Sequence, residues 1–145
     1  MAVRVRLRIE PLKGSGGAVV EAVALVNSGY EAEDEECALP VGLAERLGLW
    51  PPPADARRAE YRGFTGSAVL HEVPAAARVS VLAGDREGAS AVTRVVLSTT
   101  DDEVLVSDFL GGALGLVLVD IRTGIWRFSD DAGDVCRRTE APQRW

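Results

Sequence analysis

Ala24-Leu25-Val26-Asn27-Ser28-Gly29 is the stretch on which the reading of this chain turns. It closes a predicted strand that starts at Ala18, apolar but for Glu21, and it passes at once into a polar, tight-turning triplet. Val23 to Val26 is apolar on both faces, the pattern of a strand deep in a core. Just upstream, Val3, Val5, Leu7 and Ile9 alternate with Arg4, Arg6, Arg8 and Glu10, which predicts a strand with one buried and one wet face. Pro11 to Gly17 supplies the turn between the two strands.

Downstream of the triplet, Glu31 to Glu36 reads as an acidic, solvated loop. Pro40 opens a short helix through Leu43, Ala44 and Leu47, and Gly48 stops it. Trp50 followed by Pro51, Pro52 and Pro53 cannot stay helical and reads as an extended connector. Tyr61 to Val73 predicts a hairpin whose tip is bracketed by Gly63 and Gly66. Strands follow at Ala77 to Leu82 and Ala91 to Leu97, with the polar Gly84 to Gly88 turn between them. Val104 to Val106 is a short apolar strand. Asp108 then caps a helix over Phe109 to Leu114, which Gly115 ends. Leu116 to Asp120 and Ile125 to Phe128 form a last hairpin around Thr123-Gly124, and the tail from Ser129 is polar and loose except where Cys136 or Trp145 docks. The sum is a mainly β domain with two short helices.

Three segments, taken in order, resemble the retropepsin-like (retroviral-type) aspartic proteases. Ala24 to Gly29 is similar to that family's apolar run followed by Asp-Thr/Ser-Gly. Leu39-Pro40 through Ala44-Glu45-Arg46-Leu47-Gly48-Leu49 is like the helix after the signature in several cellular branches. Val104 to Leu110, then Leu114 to Leu118, is similar to the apolar–Gly–x–Asp/Asn–x–Leu segment with its helix and final strand. The resemblance implies a closed acid-protease barrel over residues 1–128, a polar tail over 129–145, and a homodimer with the active site on its two-fold axis. Asn27, Ser28 and Gly29 take the catalytic signature position. Gly63, Phe64, Thr65 and Gly66 would form the tip of the substrate-covering flap. There are two departures: Asn27 stands where the family has aspartate, and Val106 where it usually has glycine.

The first departure changes the chemistry. Two carboxylates sharing one proton let one act as base towards water and the other as acid towards the peptide carbonyl. Asparagine keeps the shape of aspartate but has no carboxylate to take a proton. Loss of that acid–base function removes at least about 10²–10⁴ in rate. A groove for extended peptides can survive the loss, because strand addition needs only backbone. The expectation is a catalytically inactive homodimer that binds peptide or protein ligands. Two alternatives stay open. One is an active aspartic endopeptidase, after deamidation of Asn27 ahead of the small Ser28 or with a carboxylate from elsewhere. The other is a β-domain used only for assembly. Glu31, Glu33, Asp34, Glu35 and Glu36 read as loop charges, His71 as incidental, and Ser28, Ser67 and Ser107 lack a recognisable histidine–acid arrangement.

Composition narrows the classes further. The chain has 145 residues and a formal net charge of −6, which argues against a nucleic-acid partner. One histidine and two cysteines are too few for a structural zinc site, and no cofactor is expected. Leu110 to Val119, the most apolar stretch, holds three glycines and is too short to span a bilayer. The N-terminus has no apolar signal run, so a cytoplasmic location is expected. Lys13 is the single lysine, and Asn27 and Gln143 are the only side-chain amides, a scarcity reported among thermophile proteins that GC-rich coding also produces. In a hyperthermophile, Cys37 and Cys136 could pair.

Overall fold

The computed structural model describes residues Met1–Trp145. Alternating Val3, Val5, Leu7 and Ile9 bury one face of β1 (Arg4–Pro11), which pairs antiparallel with β2 (Val20–Val26). β3 (Glu36–Pro40) leads into α1 (Val41–Arg46). β4 (Arg57–Gly63) and β5 (Gly66–Leu82) form a long hairpin, and β6 (Glu87–Ser98) returns along β5. Then come β7 (Val104–Val106), α2 (Asp108–Ala113), β8 (Leu116–Asp120), β9 (Ile125–Phe128) and β10 (Arg137–Arg138).

The main sheet runs β1-β2-β7-β3-β6-β5-β4, and a further antiparallel pairing of β1 with β5 closes it. Six strands thus make a barrel, and β4 hangs from β5 outside the closure. β7 lies between β2, to which it is parallel, and β3, to which it is antiparallel. Its three residues complete the wall through which the end of β2 is held. β8, β9 and β10 form a separate small sheet.

The core gathers side chains from nearly every element, including Leu7, Ile9, Leu39, Leu43, Leu97, Leu110, Leu114 and Phe128, all essentially inaccessible. Truncating one such leucine to alanine typically costs about 2–5 kcal/mol. Gly48 ends the α1 region in a left-handed conformation, φ 72°, and a Cβ there would meet Ser15 O at 2.5 Å. The α1 region therefore packs directly on the β1–β2 turn, and only glycine fits.

Several expectations need correction. Glu36 to Pro40 is not a loop end but a fully buried strand. The hairpin starts at Arg57, well before Tyr61, and β5 runs unbroken through Pro74. Pro74 is accommodated by a bulge, where the β5–β6 register shifts between Val73 and Ala77 and Ala75 takes φ 47°. The helix cap is Ser107, whose Oγ accepts from Leu110 N at 3.2 Å, and Asp108 is the first helical residue.

The tail is not loose. Thr139 Oγ1 accepts from Arg4 N at 2.7 Å, and Glu140 N donates to Arg4 O, serving the part of β1 that β5 does not reach. Gln143 Oε1 accepts from Val23 N at 2.8 Å, and Trp145 N donates to Asp102 O. Arg137 pairs with Asp131 and Asp85 while its guanidinium lies over the rings of Trp126 and Phe128. Cys37 and Cys136 are both free thiols, one buried in β3 and one exposed. No helix is long and apolar enough to cross a membrane.

Two measurements check this arrangement. Burial pushes the Cys37 thiol up to about 12, so a thiol reagent at neutral pH should label only Cys136 in the folded protein and both cysteines in denaturant. Arg4 grips Glu103 through two bonds, of 2.7 and 3.0 Å, and holds its carboxyl below the ordinary carboxylate range. A depressed carboxylate stabilises the fold above its unfolded value, near about 4.3, and that contribution fades as pH falls through the folded value. Thermal melts from about pH 6 down to about pH 3 should therefore show falling stability, with a shallower slope in Glu103→Gln.

Candidate functional site

The turn after β2 is built by hydrogen bonds that Asn27 makes on every side. Its N–H donates to Val106 O at 3.0 Å, tying the strand end to β7. Its carbonyl accepts from Tyr30 N at 3.0 Å, and its side-chain Oδ1 accepts from Gly29 N at 3.0 Å. The last bond makes an Asx turn, so the amide oxygen fixes the loop and only the Nδ2 group is left to offer outward. Ser28 and Gly29 are exposed, and Asn27 is half-buried.

α2 backs this turn. Asp108 N donates to Tyr30 O at 2.9 Å, and Asp108 Oδ1 accepts from Ala32 N and from Phe109 N. Asp108 is thus a structural partner of the loop through Oδ1. A Cβ added at Gly111 of α2 would meet the side chains of Val26 and Val106 at ordinary contact distance, so these two valines face α2 behind the turn.

A groove of about 480 Å³ opens beside Asn27 and Ser28, walled by Val3, Leu25, Leu118 and Ile121 among others. None of the residues lining it carries a carboxylate. The structure thus brings Asn27, Ser28 and Gly29 into one turn. Gly63, Phe64, Thr65 and Gly66 form the β4–β5 tip but do not line this groove. Phe64 there is fully exposed, and Gly66 takes φ 129°, which favours glycine in so tight a two-residue connection. A second cavity, about 410 Å³, lies around Asp34, Arg57, Ala75 and Arg94 and includes none of the signature residues.

No protein-family model and no curated protein sequence matches this chain.

One cluster escaped the sequence reading. Glu36 is buried, not a solvated loop charge. Tyr30 Oη donates to its Oε2 at 2.6 Å, and Tyr61 Oη reaches its Oε1 at 3.2 Å and Glu72 Oε2 at 2.9 Å. Arg94 bridges Glu36, Glu72 and Asp34. Burial, and then the neighbouring carboxylates, push both phenols far above their ordinary range, so they remain donors. The available hint was Tyr30 standing directly before the acidic run; Tyr61, far along the chain, gave none. His71 and Ser67 form no hydrogen-bonded pair, and no group of three or more His, Cys, Asp or Glu side chains is placed to hold a metal ion.

Because Ser107 caps the helix that backs the turn, Ser107→Ala should lower the unfolding free energy by about 1 kcal/mol in urea titration, while exposed Ser67→Ala should leave it within about 0.5 kcal/mol.

Proposed function

We propose that this chain is a catalytically inactive retropepsin-like protein that works as a homodimer and binds extended peptides. The observation that carries the reading is the groove beside Asn27: the signature position holds an amide, and no lining residue replaces the missing carboxylate. The closed six-stranded barrel, with β7 set between β2 and β3 directly behind Asn27, accords with the family expectation. So does the α2 helix that follows β7.

The nearby acids give little support to an active enzyme. Both oxygens of Glu36 are already engaged by Tyr30 and Tyr61, and Asp108, whose Oδ1 holds two backbone N–H groups, does not line the groove. An amide at position 27 can bind water or a peptide carbonyl, but it cannot accept a proton from water. Substrate can therefore be held without being cut.

A second copy is supported by the character of the free sheet edges. β4 carries Arg57, Arg58 and Arg62, and β10 is Arg137–Arg138, both charged in the manner that discourages edge pairing. β8 is different. Its outer side shows Val117 and Val119, followed by Ile121, and its residues from Leu116 to Val119 bear no charge. An unguarded antiparallel edge next to the groove suits a two-fold copy of itself.

Two experiments test the proposal. With denatured protein as substrate at acidic pH, wild type should show no cleavage, and Asn27→Asp should gain it by at least about 10² over wild type. Pepstatin-sensitive cleavage by unmodified wild type would sink the inactive reading. Sedimentation velocity should show a dimer that Val119→Arg converts to monomer; a wild type that stays monomeric at high concentration would remove the homodimer.

A further inference from the structure

The basic side chains of this molecule are unevenly committed. Half of the sixteen pair with carboxylates, Arg46 lies over the Trp145 ring, and Arg127 donates to backbone carbonyls. Six side chains are left without a partner: Arg78, Arg122, Arg138, and three on a single strand, Arg57, Arg58 and Arg62 of β4. All three are exposed. In a chain of net charge −6, that strand is a local exception.

The same strand is an open sheet edge. β4 bonds only to β5, so every second residue along it turns an unpaired N–H and C=O outward. The side chains of Arg58, Glu60 and Arg62 share a face with His71, Val69 and Ser67, which stand opposite them on β5. None of those three brings a carboxylate to either arginine. Glu72, opposite Arg57, is engaged by Tyr61 and Arg94. Phe64 at the tip and Val69 lie in water, an apolar border that a docked strand would help to cover.

The order of charges along this edge selects what can pair with it. A second β4 brought up antiparallel about Glu60 sets Arg58 against Arg62 and Glu60 against Glu60, like charge facing like charge each time. The edge therefore repels its own copy. A strand with acids opposite Arg58 and Arg62, and an uncharged residue opposite Glu60, meets the reverse situation. Nucleic acid suits the edge poorly, because Glu60 interrupts the basic stripe and the molecule as a whole is acidic.

We propose that the outer edge of β4 receives an extended acidic segment of a partner protein by strand addition. The segment's backbone continues the sheet, acids at the spacing of Arg58 and Arg62 pair with those guanidinium groups, and an uncharged residue lies against Glu60. This surface is separate from the groove beside Asn27, which no β4 residue lines. The inference goes beyond the peptide-binding reading of that groove and does not rest on it.

Fluorescence anisotropy with short, end-blocked peptides tests it. A peptide with two glutamates at that spacing and threonine elsewhere should bind, more weakly as salt rises, and its lysine counterpart should not. A third glutamate placed midway, to face Glu60, should weaken binding despite the added negative charge. Each exposed ion pair is worth up to about fivefold in affinity, so Arg58→Ala combined with Arg62→Ala should weaken binding by about tenfold. That double variant should melt with wild type, because neither side chain has a partner to lose. Arg78→Ala and Arg122→Ala should bind as wild type does. In hydrogen–deuterium exchange, the bound peptide should slow residues 57–63 and leave 20–26 unchanged. Absence of binding, or binding without that slowing, would overturn the proposal. So would tighter binding of the peptide with the midway acid, or loss of binding in Arg122→Ala instead of the β4 variant. Equal capture of a single-stranded oligothymidylate through the same arginines would also overturn it, by making the edge a general polyanion site.

Discussion

Everything in this molecule depends on a strand of three residues. β7 joins β2 in parallel and β3 in antiparallel sense, and without it the barrel would be open between them. Parallel pairing cannot be made by a short hairpin; it requires the chain to travel away and return. Here the return comes after β3, β4, β5 and β6, so the N-terminal hairpin is locked only when the second half of the chain arrives. The bond from Asn27 N to Val106 O marks the point where that closure meets the candidate site. The Asn27 turn is held at both ends, by β7 at Asn27 and by α2 at Tyr30, so barrel closure fixes where a locally specified turn sits.

The parts of this design that could be read in sequence are those with a period. Alternating valines and arginines declared β1, and a two-sided apolar run declared the end of β2. β3 was hidden because Glu36-Cys37-Ala38-Leu39-Pro40 is buried at every position, with a charge at one end and a proline at the other, so it has no alternation to detect. The hairpin read as far as Val73 and the strand read from Ala77 are one continuous strand, because a single bulge absorbs the residues between them. The helix cap was misread by one residue, because Ser107 and Asp108 are both good caps and only packing chooses between them. Tail docking was invisible for a simpler reason: Thr139 and Gln143 act through single side chains that substitute for ladder bonds.

At the site, the turn was legible and its surroundings were not. Asn27, Ser28 and Gly29 are contiguous, and their residue types already specify a tight turn. The Tyr30–Glu36–Tyr61–Glu72–Arg94 cluster joins residues from four separate stretches and exists only after folding. A glutamate in an acidic run looks solvated until a neighbouring strand covers it. Burying Glu36 is tolerable because two phenols and a guanidinium meet it, in keeping with the rule that interior charge must be paired or hydrogen-bonded. The same satisfaction withdraws it from chemistry.

The arginine clasps have one more consequence, which lies on the alkaline side of the pH scale. Arg137 between Trp126 and Phe128, Arg4 on Glu103 and Arg94 in its acidic nest all use guanidinium groups, which keep their proton in any ordinary buffer. Lysine appears once in the chain, and so does histidine. The half-buried phenols, held as donors, resist ionising too. Between neutrality and strongly basic solution, few groups change charge, so the internal ionic framework is nearly blind to base while remaining answerable to acid.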